Sequence, residues 1–535
     1  MKIRSILVLM LMLAIVLSSF VGCTKNGETG GSVTGPEKQG KATESPDSAG
    51  TAEKKHMEIS IALWDFEKFD DALAEIVKEK LNITIKTVPF TWDNYLEQTK
   101  LFAAANDMPD CIASYTTEDA SRFYSWIDQG IIRDIPEEMI NKYPNVKKIV
   151  ENNEVVNFVK DIKGGYYFIP RPESQSGLYT SNVQYLYYRK DWLENVGIDK
   201  VPETIDEFYN MLKAFKEKDP DKNGKDDTYG YTYYGVPRLF SIWGIIPESW
   251  VEEDGKWIPG YISKKNIEPL KFLQKLYHEE LLDSEFAKNG YVQTQQKFFT
   301  GSFGVMQRNA DTQWIYRIVQ EFSEVNPDIK DPLSVIGILP PLKLDDNSQP
   351  LWQQNFQNGG TEISSHVSDE KLDRILELDN YLLSPEFKEL FRFGIEGETY
   401  RKEGDKYILL DDPETGKPFD LNVVYPSRRI YCFSDWDWDF CEEPSHPYIT
   451  DDIRQLSREA REKYNNAVLQ ESMVKFLSTP AKDDLTINWR DSYIQMIISG
   501  EDIETAFDRF VEDAMNKGVA KAIEEVTELA NELGL

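Results

Sequence analysis

The chain has 535 residues, 41% of them apolar and 12% aromatic, enough for two or three ordinary domains with sizeable cores. Its 92 acidic residues against 60 basic ones leave a formal charge of −32, which repels phosphate and argues against nucleic acid or anionic lipid as partners. Past residue 22 no apolar stretch is long enough to span a bilayer.

The first element is an export signal over residues 1–22. Lys2 and Arg4 give it a positive start, and Ile6 to Leu17 form an unbroken apolar run. A spanning helix needs about 20 such residues, so this run is too short to cross a membrane. The segment Ser18-Ser-Phe-Val-Gly22 before Cys23 resembles the bacterial lipobox, with Phe20 where that pattern usually has Leu. The resemblance implies that Cys23 receives diacylglycerol and becomes the new N-terminus. Ordinary secretory cleavage, with Cys23 an incidental thiol, is the alternative. Residues 23–57 then read as a tether. From Thr24 to His56 there is no Leu, Ile, Phe, Tyr or Trp, and such a segment cannot bury enough surface to offset its ordering entropy.

The body opens with strands and helices in alternation. Met57–Leu63 reads as a strand, Phe69 to Leu81 as a helix, Ile83–Val88 as a second strand, Tyr95 to Ala103 as a helix and Pro109–Ser114 as a third strand. Strands separated by such helices indicate βαβ units and a parallel sheet, whose ligands bind at loops beyond the strands' carboxyl ends. The loops after Leu63 and Ser114 are therefore candidate walls of a site. A second region begins near Thr180, with a strand at Leu186–Arg189 and a helix started by Thr204 and Glu207 as a capping box. Further helices are expected over Ile267–Leu282, Asp369–Leu383, Ile503–Asn516 and Ala520–Leu533. Cys111, in an apolar stretch, reads as a buried small hydrophobe. Cys432 and Cys441 bracket one aromatic-rich loop, where a disulfide and two free thiols both stay open.

Several segments resemble family 1 extracellular solute-binding proteins, the large lipoproteins that bind sugars for ABC importers. They are Tyr188-Arg-Lys-Asp-Trp-Leu-Glu-Asn-Val-Gly-Ile198, Val201-Pro-Glu-Thr-Ile-Asp-Glu-Phe208, Gly301-Ser-Phe-Gly-Val-Met306, Tyr381-Leu-Leu-Ser-Pro-Glu386, Phe393-Gly-Ile-Glu-Gly-Glu-Thr-Tyr400 and Tyr493-Ile-Gln-Met-Ile-Ile-Ser-Gly500. The resemblance implies a two-lobed α/β fold of the periplasmic-binding-protein type II, with the ligand held in a cleft between hinged lobes. It projects one lobe onto 58–175 plus 355–400 and the other onto 178–350 plus 405–535. It also implies a monomer, anchored by lipid on the outer face of the cell membrane, that delivers an oligosaccharide to the transmembrane subunits of an ABC permease.

Asp219-Pro-Asp-Lys-Asn-Gly-Lys-Asp-Asp227 places oxygen-bearing residues at positions one, three, five and nine, with Gly at six. That order resembles a calcium loop, with Asp219, Asp221, Asn223 and Asp227 as side-chain ligands and Lys225 lending its backbone carbonyl. Gly230 stands where an EF-hand carries Glu, and Thr228 where solute-binding relatives often carry an acid. A structural Ca2+ away from the cleft is expected; an acidic solvated turn is the alternative.

Sugars present an apolar C–H face and a rim of hydroxyls, which aromatic rings and charged or amide side chains match. Trp64, Asp65 and Tyr115 follow strands whose ends face the expected cleft. Trp243, Trp314, Trp352, Tyr400, Trp436 and Trp438 fall in loops or segment ends, Arg171 follows the expected crossing strand Tyr166–Ile169, and Arg308 follows the Gly301–Met306 segment. Core packing is the competing role for each Trp, and ion pairing for each Arg. The rival class is a secreted carbohydrate-active enzyme, a glycosidase or lyase. A glycosidase needs two carboxylates about one bond, which 92 acidic residues neither show nor exclude. No G-x-S-x-G, H-E-x-x-H, Walker loop or G-x-G-x-x-G is present, so a binding protein is the expectation and no catalytic residue is assigned.

Overall fold

Alternating apolar residues at Ile59, Ile61 and Leu63 start the first sheet, in a computed structural model that describes residues 54–91, 94–114, 120–171, 184–235, 237–354, 356, 359–435 and 447–535. Residues Lys54–Leu535 form one unit, with two hydrophobic cores. Among the described residues no helix is long and apolar enough to cross a membrane.

The first core surrounds a five-stranded sheet. Its order is β2 (Ile83–Phe90), β1 (Met57–Trp64), β3 (Cys111–Ser114), β12 (Gly360–Ile363) and β4 (Phe168–Pro170). β1 pairs in parallel with β2 and β3, so the expected βαβ units are present. The connecting helix Ala72–Leu81 begins where Asp71 accepts from the backbone N–H groups of Leu73 and Ala74, and it buries Leu73, Val77 and Leu81. β12 returns antiparallel between β3 and β4, which brings the far segment 360–363 into this sheet.

The second core surrounds a sheet ordered β10 (Ile336–Ile338), β5 (Tyr185–Arg189), β9 (Phe303–Arg308) and β6 (Tyr229–Thr232). The helix Ile205–Glu217 carries the expected capping box, with the Glu207 N–H donating to Thr204 Oγ1 and the Thr204 N–H to Glu207 Oε2. Gly304 is required here. A Cβ on it would stand 2.3 Å from the Phe215 ring, which packs edge-on against the fully buried Trp192. Among the described residues three further strand pairs form: β7 (Trp250–Glu253) with β8 (Lys256–Pro259), β13 (Tyr400–Glu403) with β14 (Lys406–Leu409), and β11 (Trp352–Gln354) with β15 (Val468–Gln470).

One boundary differs from the sequence projection, which groups 405–535 with the second lobe. Leu421, Tyr425, Ile430, Tyr431 and Phe433 lie in the first core instead. The cause is aromatic packing, since Tyr431 stacks on Phe391 with centroids 4.0 Å apart and also on Phe387. Cys111 is buried and its thiol is pushed up by burial, as suits a small apolar residue. Cys432 is a free thiol, and Cys441 lies outside the described residues.

The helix Asp369–Leu382 buries Asp379 among apolar neighbours. Burial pushes its carboxyl up to about 7; the nearby Asp435 charge adds to this and the neighbouring Ser434 hydroxyl opposes it. The folded state thus holds this proton more tightly than the unfolded chain does. The group's contribution is fully present below the unfolded pKa, near 4, and is lost as pH rises to about 7. Asp379→Asn mimics the protonated form. It is expected to be neutral at pH 4 and stabilising by about 2–4 kcal/mol at pH 8. Urea unfolding at the two pH values checks this, and an equal effect at both would contradict it.

Candidate functional site

Residues from both cores line one cavity of about 610 Å³, a size suited to an organic ligand. The helix Ala120–Asp128 supplies Arg122 and Trp126 from the first core. The facing wall carries Trp250 at the start of β7, with Glu248, Lys482 and Asp483. Both indoles are largely packed, at 5% and 7% exposure, so each presents only a small part of its surface to the space.

Each wall fixes its charges. Arg122 donates from both Nη atoms to the fully buried Glu362 carboxylate at 2.9 Å, and the Ser114 hydroxyl donates to the same group at 2.8 Å. The guanidinium then lies 4.3 Å from the Trp126 ring centroid. Opposite, the Lys482 ammonium is 5.4 Å from the Trp250 centroid and donates to the carbonyl oxygens of Lys475 at 2.7 Å, Val474 at 3.4 Å and Leu477. Burial works to raise the Glu248 carboxyl. Arg238, Gln353 and Lys475 overcome it and hold the group below its ordinary value, hence ionised. The cavity thereby offers fixed cationic donors, the ionised Glu248 as acceptor and indole surface, the complement of a polyhydroxylated ligand.

The expected site residues divide. Trp64 has no exposed surface: Phe90 and Tyr95 pack edge-on against it at 5.2 and 5.4 Å, and the Arg171 guanidinium lies 4.9 Å from its ring. Arg171 is equally buried. It donates to the carbonyls of Ser114 and Cys432, and its N–H to Gly359, so it ties β3, β4 and β12 to the short helix Tyr431–Ser434. These two are interior residues, because the helix after β2 roofs the end of β1. Asp65 is exposed in a left-handed turn, 3.6 Å from Arg429.

In the second core Arg308 lies 3.7 Å from the Trp314 centroid and 4.7 Å from that of Tyr291, and burial lowers its pKa. Trp352 is buried against Tyr464 and donates to the Gln184 carbonyl. Trp243 packs on Phe272, and Tyr400 packs on Phe393 with its hydroxyl donating to Glu389. None of these lines the 610 Å³ cavity. Tyr115, Trp436, Trp438 and Cys23 lie outside the described residues. Trp126 and Trp250 were the missed aromatics. A signal existed for Trp250, which opens two short apolar runs around Asp254-Gly255, a hairpin turn pair.

The acidic loop after Ile205–Glu217 is tightly bonded. Asp219 accepts from the backbone N–H groups of Asn223 and Gly224, while the Asn223 amide donates to Asp221 at 2.7 Å and Asp227 at 3.0 Å. Burial pushes the Asp221 carboxyl up, and its acidic neighbours Asp219 and Asp227 add to this. The Lys225 N–H donates to the Asn223 amide oxygen. Thr228 faces inward, donating to the Phe215 carbonyl, so its side chain is spent on the helix. Among the described residues no three acidic, His or Cys side chains converge as a ready metal site. Carboxylate and amide oxygens are the ligand types that a hard cation takes. Asn223's two N–H groups do for these carboxylates what a cation would do.

A family model described as bacterial extracellular solute-binding protein matches residues 65–388. The polygalacturonan/rhamnogalacturonan-binding protein YtcQ of Bacillus subtilis (strain 168) is 25% identical over 464 residues, 84% of this chain and 87% of that one. Lipoprotein LipO of the same organism is 29% identical over 353 residues, 61% of this chain and 64% of that one. Among solved structures, that of the alginate-binding protein AlgQ2 without calcium ion is similar over 89% of this chain and 98% of that one. Its TM-score is 0.66 at 17% identity, a likeness of fold: a two-lobed α/β solute-binding architecture.

Proposed function

The chain belongs to the bacterial extracellular solute-binding proteins, and from that premise we propose that it captures an oligosaccharide outside the cell and hands it to an ABC importer. The observation that carries this reading is the cavity walled by both cores, with Trp126 from one and Trp250 from the other beside the charged side chains of Arg122, Glu248 and Lys482. Its size and polarity suit a sugar chain, and YtcQ and AlgQ2 are named for binding polysaccharides. Closure of the two lobes about a hinge would engage both walls, so the ligand biases the closed state through contacts with each. Cys23 carries a lipid anchor that holds the body at the outer face of the membrane through the tether 24–53, in keeping with the lipoprotein LipO. The chain binds its glycan without turning it over. Tyr115, Trp436 and Trp438, named from the sequence alone, are proposed as further ligand contacts.

The test is a thermal-shift screen against an oligosaccharide panel, followed by chromatography of the recovered glycan. A ligand of the folded state adds stability that grows with the logarithm of its concentration, about 2.7 kcal/mol at a hundredfold excess over Kd. A shift with intact glycan recovered is expected. Cleavage of the glycan would favour the enzyme, and silence across the panel would overturn the sugar.

Calcium is proposed at Asp219, Asp221, Asn223, the Lys225 carbonyl and Asp227, as a structural ion. Millimolar calcium is expected to raise the melting temperature by a few degrees and to displace the Asn223 amide from the carboxylates. The double variant Asp219→Asn/Asp221→Asn should lose that rise. The same calcium shift in the variant would remove the ion from this loop.

A further inference from the structure

This inference rests on reading the cavity as the ligand site. Among its lining residues Lys100, Arg122, Lys475 and Lys482 outnumber Glu248 and Asp483, in a chain where acids exceed bases by 92 to 60. A count of charges alone would mislead, because most are already spent. Arg122 is held bidentately by Glu362, Lys475 lies 2.8 Å from Glu471, and Glu248 lies 3.1 Å from Arg238.

Lys482 is different. All its hydrogen bonds go to the backbone carbonyls of Val474, Lys475 and Leu477, and among the described residues no carboxylate lies within ion-pair distance of it. Its neighbour Asp483 is bonded to the Ser478 hydroxyl and acts on the ammonium only across space. An ammonium held on carbonyls at the wall of a cavity is a buried cation without its counter-ion, an arrangement that costs stability unless something else repays it.

We infer that the cleft takes an oligosaccharide bearing carboxylate groups, one of which meets the Lys482 ammonium beside the Trp250 indole. A carboxylate there supplies the missing counter-charge, while the sugar hydroxyls engage Glu248 and the donors of the facing wall. A neutral glycan leaves Lys482 as it stands.

The linkage gives a second consequence. Burial pushes the Lys482 ammonium down to about 7; Asp483 opposes this and Lys475 adds to it. The other charged groups around the cavity are Glu248, Arg122 and Lys100, with Glu471 behind Lys475. A bound carboxylate favours the protonated form, so binding takes up a proton above pH 7. Affinity for an acidic glycan should then fall by up to tenfold per pH unit above 7, until the complex's own pKa is reached.

The experiment is calorimetry on the full chain with uronic-acid trimers, their methyl esters and neutral hexose trimers. At pH 6.5 the acids are expected to bind at least tenfold more tightly than the esters. Lys482→Met should reduce that preference to twofold or less and flatten the pH dependence of acid binding between pH 6.5 and 8.5. Lys482→Arg, always charged, should keep the preference and lose the pH dependence. Esters binding as well as acids in the native chain, or neutral trimers binding better than acids, would overturn the inference while leaving an oligosaccharide-binding protein. Binding of no glycan at all would overturn both.

Discussion

Replacing Glu362 by Ala is expected to lower the free energy of unfolding by about 3–5 kcal/mol, the usual cost of removing one partner of a buried ion pair. The Glu362 side chain has no exposed surface and the Arg122 side chain only 5%, so water cannot solvate the guanidinium left behind. The Ser114 hydroxyl loses its acceptor in the same step. Two controls separate charge from packing. Glu362→Gln keeps the shape and one acceptor, and should cost less. Arg122→Met with Glu362→Met removes both charges, and should cost less than Glu362→Ala alone. Because this pair also fixes Arg122 over Trp126, Glu362→Ala should weaken ligand binding even where the protein stays folded. Urea unfolding gives the first number, and a loss under about 1 kcal/mol would mean that Arg122 finds solvent elsewhere.

Removing both cleft indoles is expected to reduce affinity for the cognate oligosaccharide by about a hundredfold. Each buried aromatic contact with a ligand contributes roughly 1–2 kcal/mol, and each 1.4 kcal/mol is a factor of ten. Leu is the better replacement at Trp126 and Trp250, since both rings are mostly packed and Ala would leave a cavity in each core. The walls belong to different cores, so the single losses should add. A ligand held by one wall only would lose affinity through one substitution and not through the other. Calorimetry on the two single variants and the double one distinguishes these cases.

The strand–helix alternation from Met57 to Ser114 was legible because its periodicity is local: each strand and helix carries its own apolar pattern. The Thr204/Glu207 cap was legible for the same reason. Burial at strand ends was not. Trp64 ends β1 as a cleft residue would, but Phe90 and Tyr95 cover it, and they come from later elements. Tyr431 packs on Phe391, a contact across 40 positions that no window of sequence contains, and so Leu421, Tyr425 and Ile430–Phe433 pack in the first core. The acidic loop shows the mixed case. Its spacing of oxygens is readable, while the inward turn of Thr228 toward Phe215 emerges only from the helix packing. Lys482 had no sequence signal at all, because its unpaired charge follows from the carbonyls of a neighbouring turn.

The central claim is that one glycan bridges both lobes at this cavity, and hydrogen exchange of the full chain tests it most directly. With the oligosaccharide that gives the largest thermal shift, amides of Ala120–Asp128 and of Trp250–Glu253 should both gain protection, because bound ligand suppresses local opening of each wall. Protection confined to one of these segments, or to neither while the ligand is bound, would contradict the account.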